Sequence, residues 1–530
     1  MTLARFTPMR TRLAPLCAAA LLGLSLLAPS HAQVNLPALG DSVSDDFGIG
    51  AEKKIGVQIM REIRRDPDYL DDPILLDYVQ SIWQPLLAAA RQRGDIGGEA
   101  NDRFAWEPFL VRDRSVNAFA LPGGYVGVHL GLIAITAGRD ELASVLAHEL
   151  SHVTQRHIAR SIVNSQRQSM LSLASMILGA VAASRSSNID AANAIFVGGQ
   201  AAAAQGQLNF SRDMEREADR VGFAVLTGAG FAPSGMASMF EKLENAYRHN
   251  DGNSFPYLRS HPLTTERIGE ARARQGAGRP ANAAPSSVLE HAVMQARARV
   301  LMDTRAVSMQ RLQGLDAPSA VNVPTSPAER LSALCTSALA SSAMRDWPRA
   351  DAALQAALSL LRAGQNDPRA ERAVTMLHAQ LLLERGDAAR GADVLKPYAS
   401  DASRSMALLR AQLAVSPAAR DDAALRRQAD ELQTRVALSP LDATAWSLLG
   451  QAQERLGHPL RSLRAQAESR YAIGDLSGAV DRLRAGQRLA RSGGAPDFIE
   501  ASVIDSRLRD VDAERKQWAA ELRKEGRSEP

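Results

Sequence analysis

Residues 142–152 read Leu-Ala-Ser-Val-Leu-Ala-His-Glu-Leu-Ser-His. The apolar spacing predicts a helix, and at about 100° per residue His148 and His152 lie roughly 40° apart, with Glu149 on the adjoining surface. Two imidazoles one turn apart can hold one zinc ion, and the carboxylate between them can reach a water on that metal. The plainer alternative is a pair of satisfied helical histidines. A catalytic zinc also needs a third protein ligand and an open position. Gln155 and Ile158 stand where the Gly and third His of the extended H-E-x-x-H-x-x-G-x-x-H pattern would be, which excludes that class. His157 falls one residue off and reads as a surface histidine on the same helix.

The next candidate is Arg212-Asp-Met-Glu-Arg-Glu-Ala-Asp-Arg-Val-Gly222. Glu215 and Asp219 are four apart and share a helix face, while Glu217 points to another side. Glu215 is assigned as the third ligand, and Asp219 as the acceptor that orients an imidazole N–H. An ordinary charged solvent face is the competing reading. Glu149 then serves as the general base toward a water whose pKa the metal lowers to about 7. A tetrahedral oxyanion needs a positive or hydrogen-bonding group. His261 and Arg267, six residues apart beside Pro262, offer two further catalytic candidates.

The run of His-Glu-x-x-His, then Glu-x-x-Ala-Asp, then Ser-His-Pro with a following Arg resembles the zinc peptidases of the CAAX-protease and HtpX type, in their soluble periplasmic branch. The resemblance implies one Zn2+ per chain on His148, His152 and Glu215, with Glu149 catalytic. It leaves two roles for His261: a fourth zinc ligand that blocks the water position, or a group that faces substrate together with Arg267. It further implies misassembled outer-membrane β-barrel proteins as substrates and the barrel-assembly machinery as partner. The fold expected is mostly α: an α+β gluzincin-type peptidase domain with a small sheet, then a helical repeat domain.

Residues 115–128 predict two short strands around Pro122-Gly123-Gly124. An edge strand carrying Asn117, Ala118 and Phe119 beside the cleft can pair with an extended substrate. A plain supporting hairpin is the alternative.

Residues 1–32 have the form of a secretory signal, with Arg5, Arg10 and Arg12, an apolar core from Leu13 to Leu27, and Ser30-His31-Ala32 before Gln33. This predicts export to the periplasm. Without those three arginines the formal net charge of +4 drops to about +1. Such a charge makes no case for nucleic acid. Only Cys335 would remain of the two cysteines, so no internal disulfide is expected.

About 500 mature residues imply two or more domains. The peptidase part is expected over 33–274, a linker over 275–287 and repeats over 288–527. Two apolar runs, 170–183 and 191–204, predict a helical hairpin that serves as lid or plug, or touches a membrane surface. Fourteen residues are too few for a span of about 20. Beyond 287, Met344-Arg-Asp-Trp347, Leu382 to Asp387, Trp446 to Gly450 and Tyr471 to Val480 resemble tetratricopeptide (TPR) repeats and their turns. About four units are expected between 328 and 490, presenting a groove for partner proteins.

Overall fold

A computed structural model describes residues 48–164, 212–249, 256–275, 288–317, 324–364, 367–492 and 497–524. The signal-like segment, the 170–204 hairpin and all but the first residue of the 275–287 linker lie outside these residues.

The first half runs α1 (Ile49–Ile63), β1 (Tyr69–Leu70), α2 (Pro73–Arg93), α3 (Gly98–Arg103), β2 (Glu107–Val111), β3 (Ala118–Leu121), β4 (Tyr125–His129), α4 (Leu130–Ile135) and α5 (Arg139–Thr154). It continues with α6 (His157–Asn164), α7 (Arg212–Gly228), α8 (Ser234–His249), α9 (Pro256–Ser260) and α10 (Thr265–Gln275). Helix α2 starts at Pro73, and its N-cap Asp72 accepts from the Leu75 amide at 2.9 Å. Proline at the first position lacks an amide that would be orphaned there anyway.

The sheet has strand order β1-β2-β4-β3; β2 and β4 are parallel and the other pairs antiparallel. Strand β3 is therefore an edge. Gly123 and Gly124, at φ +78 and +87, make the turn from β3 to β4, a backbone region that favours glycine. Strand β2 has no counterpart in the sequence reading. Four of its five residues are buried in succession, so it lacks the alternation that marks a strand.

Helix α5 is buried over nearly its whole length, polar residues included. It packs on α7, α8 and β3. Gly222 of α7 makes the close approach: a Cβ there would sit 3.1 Å from the Ala147 carbonyl oxygen and 3.2 Å from His148 Cα. The absence of that carbon brings the acidic helix directly against the histidine helix.

Helices fill the second half: α11 (Val288–Leu301), α12 (Ala306–Gln313), α13 (Pro327–Ala343), α14 (Trp347–Ala363), α15 (Pro368–Arg385), α16 (Ala388–Val394), α17 (Arg404–Val415), α18 (Asp422–Leu438), α19 (Ala443–Arg455), α20 (Pro459–Ala472), α21 (Leu476–Arg491) and α22 (Phe498–Lys524). From α13 onward they pair as successive hairpins. Asp346, Asp387 and Asp475 each cap the second or following helix through their side chains. The charged terminal stretch is an amphipathic helix: α22 buries Ile504, Val511, Trp518 and Leu522. It returns to the first half, where Arg61 of α1 pairs with Glu514 at 2.5 Å and lies over the Trp518 ring.

Candidate metal centre

The two histidines of α5 point to one spot, with Nε2 of His148 and Nε2 of His152 3.0 Å apart. Helix α7 brings Glu215 against them, its carboxylate oxygens 3.5 Å from each of these nitrogens. Short helix α9 stops at Ser260, and His261 then sends Nδ1 into the same spot, 3.3 Å from His148 Nε2 and 2.9 Å from Glu215 Oε1. All four side chains are buried, and their donor atoms lie within 4.8 Å of one another.

These distances test the donor set. A tetrahedral zinc with bonds of about 2.0–2.1 Å has donor–donor edges of about 3.3–3.4 Å. Five of the six donor pairs span 2.9–3.5 Å and all four donors lie within 4.8 Å of one another, a spacing that suits one zinc ion among three imidazoles and one carboxylate. The electrostatics agree. Burial opposes charge on His148, yet Asp219 and Glu215 hold its imidazolium up to about 10. Burial and the neighbouring His148 push His152 well down, whereas His261 and His148 keep Glu215 well below the usual carboxylate range despite its burial. The carboxylates of Asp219 and Glu215 thus favour positive charge beside them.

Around these donors sit groups that fix their orientation. His148 Nδ1 stands 3.0 Å from Asp219 Oδ1. Arg267 was expected to face an oxyanion and does not. Its guanidinium is buried and fully engaged: Nε and Nη2 donate to Asp219 at 2.6 and 2.8 Å, and Nη1 lies 2.8 Å from both the Pro262 carbonyl oxygen and Glu215 Oε2. A guanidinium forked onto two carboxylates has no face left for substrate. His157 also departs from expectation. It is fully buried rather than on the surface, with Nδ1 2.9 Å from His152 Nδ1 and Nε2 3.0 Å from Glu217 Oε2. Burial pushes its imidazolium down to about 4.

Glu149 is fully buried, and among the described residues neither of its carboxylate oxygens has a hydrogen-bond partner; His261 Nε2 stands 3.5 Å from Oε1. Edge strand β3 runs beside α5, with Asn117 just ahead of it and Ala118 and Phe119 at its start. The Phe119 ring packs edge-on to Phe109 and covers Gly127, so it seals the sheet face.

Residues 78–275, which hold this whole constellation, match Peptidase family M48. Over those residues the chain is similar to the M48 peptidases. Over 324 residues it is 36% identical to a putative beta-barrel assembly-enhancing protease of Vibrio cholerae serotype O1, a match covering 60% of each chain. It is 33% identical over 267 residues to the beta-barrel assembly-enhancing protease of Escherichia coli K12, covering 50% of this chain and 52% of that one. A more distant likeness, 31% over 195 residues, is to the mitochondrial metalloendopeptidase OMA1 of Saccharomyces cerevisiae, covering 36% and 53%. The chain spans about 60% or less of the length of these curated relatives. The matched residues contain all four candidate metal donors, Glu149, Asp219 and Arg267.

Proposed function

We propose that this chain is a zinc-dependent endopeptidase acting on proteins at the stage of outer-membrane β-barrel assembly. The observation that carries the reading is the unpartnered, buried Glu149 beside a zinc-sized donor set inside an M48 domain. A bound zinc supplies a Lewis acid that acidifies water and polarises a carbonyl. Glu149 takes the proton of the attacking water and returns it to the leaving amine. Edge strand β3 offers free backbone groups for an extended substrate. Arg267 and Asp219 hold His148 and Glu215 in place rather than touching substrate. The named relatives support barrel assembly as the setting. The signal-like start of the chain supports the periplasm, and the successive helical hairpins support TPR-like binding of protein partners.

The test is zinc-dependent cleavage of an unfolded protein by the wild-type chain and by Glu149→Gln. Cleavage should vanish in the variant while one zinc per chain is retained; cleavage that survives would overturn the assignment of Glu149.

A second reading, a chaperone or adaptor with a latent peptidase, is favoured by one specific observation: His261 Nδ1 stands at the fourth donor position, where a catalytic centre keeps an opening. His261→Ala separates the roles. Faster cleavage means His261 closes the centre, and slower cleavage means it assists the reaction.

A further inference from the structure

We propose that His157, Glu217 and Arg160 form a positioning arm that fixes the tautomer and tilt of His152. The inference rests on the reading of His148, His152, Glu215 and His261 as one metal donor set.

The geometry leaves one direction for the protons. With Nε2 of His152 turned to the metal position, the ring carries its hydrogen on Nδ1. That N–H donates to His157 Nδ1, 2.9 Å away. His157 has then spent its Nδ1 lone pair, so its own hydrogen sits on Nε2 and is donated to Glu217 Oε2 at 3.0 Å. Arg160 Nη1 donates to the same oxygen at 2.8 Å and holds the carboxylate charged. Each link is a full-strength hydrogen bond, and the chain ends on an ion pair partly open to solvent.

A strained backbone puts His157 there. Were α5 continuous, a residue five positions beyond His152 would point about 140° away from it. Instead the chain breaks at Arg156, which adopts φ +50, a left-handed conformation that non-glycine residues rarely take. The buried ion pair of Arg156 Nε with Glu52 Oε2, 3.2 Å, holds that break. The result swings the His157 ring back to 4.9 Å from the His152 ring. Strain kept by a buried ion pair, and delivering a side chain to a metal ligand, points to a use.

The arm is the counterpart of the one behind His148, where Asp219 and Arg267 play the corresponding parts. One helix, α7, supplies both carboxylates, Glu217 and Asp219, and the donor Glu215 as well. Outer groups of this kind change metal affinity by about 10–100-fold when removed.

The experiment is zinc affinity of the full chain by competition with a chromophoric chelator, for wild type, His157→Ala, His157→Gln and Glu217→Ala. A glutamine amide can both accept from His152 and donate to Glu217, so His157→Gln should recover much of the affinity that His157→Ala loses. The expected losses are about 10–100-fold for His157→Ala and smaller for Glu217→Ala, with metal-free melting shifted alike in His157→Ala and His157→Gln. Affinity within twofold of wild type in a folded His157→Ala overturns the arm. Equal losses in His157→Ala and His157→Gln would reduce His157 to packing, which also overturns it. A wild-type chain that binds no zinc would instead sink the donor set itself. Should His157→Ala fail to fold, Glu217→Ala and His157→Gln carry the same comparison.

Discussion

Two buried polar regions flank the base of α5 and differ in kind. At the metal centre like groups crowd together: three imidazoles with nitrogens as close as 3.0 Å and a carboxylate among them, beside a Glu149 carboxylate with no hydrogen-bond partner among the described residues. At the seam with α11, donors meet acceptors. Tyr78 meets His291 Nδ1 at 2.5 Å, His291 Nε2 donates to the Thr136 carbonyl at 2.8 Å, and Arg139 pairs with Glu290 at 2.9 Å. Arg297 forks onto Asp72 at 2.8 and 2.6 Å. Burial alone therefore does not mark function. A matched buried network glues elements, whereas an unmatched one is stable only with something added to it.

Removing the metal should break this contrast most severely. Apparent zinc binding energies in four-ligand sites are on the order of 10 kcal/mol. Melting with chelator and with zinc should then differ by about 10 °C or more, and equal melting would mean the four donors are content without a cation. Next comes the seam. Asp72→Ala leaves the Arg297 guanidinium buried without its partner and removes the α2 cap, at a cost of about 3–5 kcal/mol in chemical denaturation. Loss below about 1 kcal/mol would show the seam is not the glue described.

Acid should act on the seam through His291. Burial holds its imidazolium down to about 4, whereas an unfolded histidine titrates near 6.5. Between these values the unfolded chain binds a proton that the native chain refuses, so stability falls as pH drops through that window. Between pH 7 and pH 5, His291→Gln should lose about 2 kcal/mol less than wild type; identical losses would remove His291 from the account. The smallest expected effect is Gly222→Ala. Its methyl group must push α7 from Ala147 by a few tenths of an ångström, and zinc affinity should fall several-fold with less than about 2 kcal/mol lost in stability. Unchanged affinity would show that the centre tolerates a shift of α7.

How much of this was legible in the sequence follows from the range of each interaction. His148, Glu149 and His152 are positioned by one helix turn, and Glu215 and Asp219 by another, so their spacing alone placed them on shared faces. The turn at Pro122–Gly124 and the breaks at Trp347 and Gly386 were legible for the same local reason. His157 was not, because the left-handed residue at Arg156 carries no sequence mark such as glycine. Arg267 was misplaced because the carboxylates that occupy it lie 48 residues and more away, across a tertiary contact. Strand β2 was missed because a parallel strand buried on both faces has no polar alternation.

Among the described residues the helical half is fastened to the first half near its start, its middle and its end. Helix α11 seats on α4, Arg404 of α17 forks onto Asp71 at 2.8 and 2.7 Å, and Arg61 meets α22. Between them lies a cavity of about 820 Å³ lined by both halves, including Tyr69, Asp71, Arg404 and Thr444. A stack of repeats with one free end behaves as a spring and opens by small equal rotations at each joint. Pinned at its start, middle and end, the helical half of this chain is closer to a truss: a guest in the cavity finds a gap of preset width, and widening it means unfastening contacts such as these.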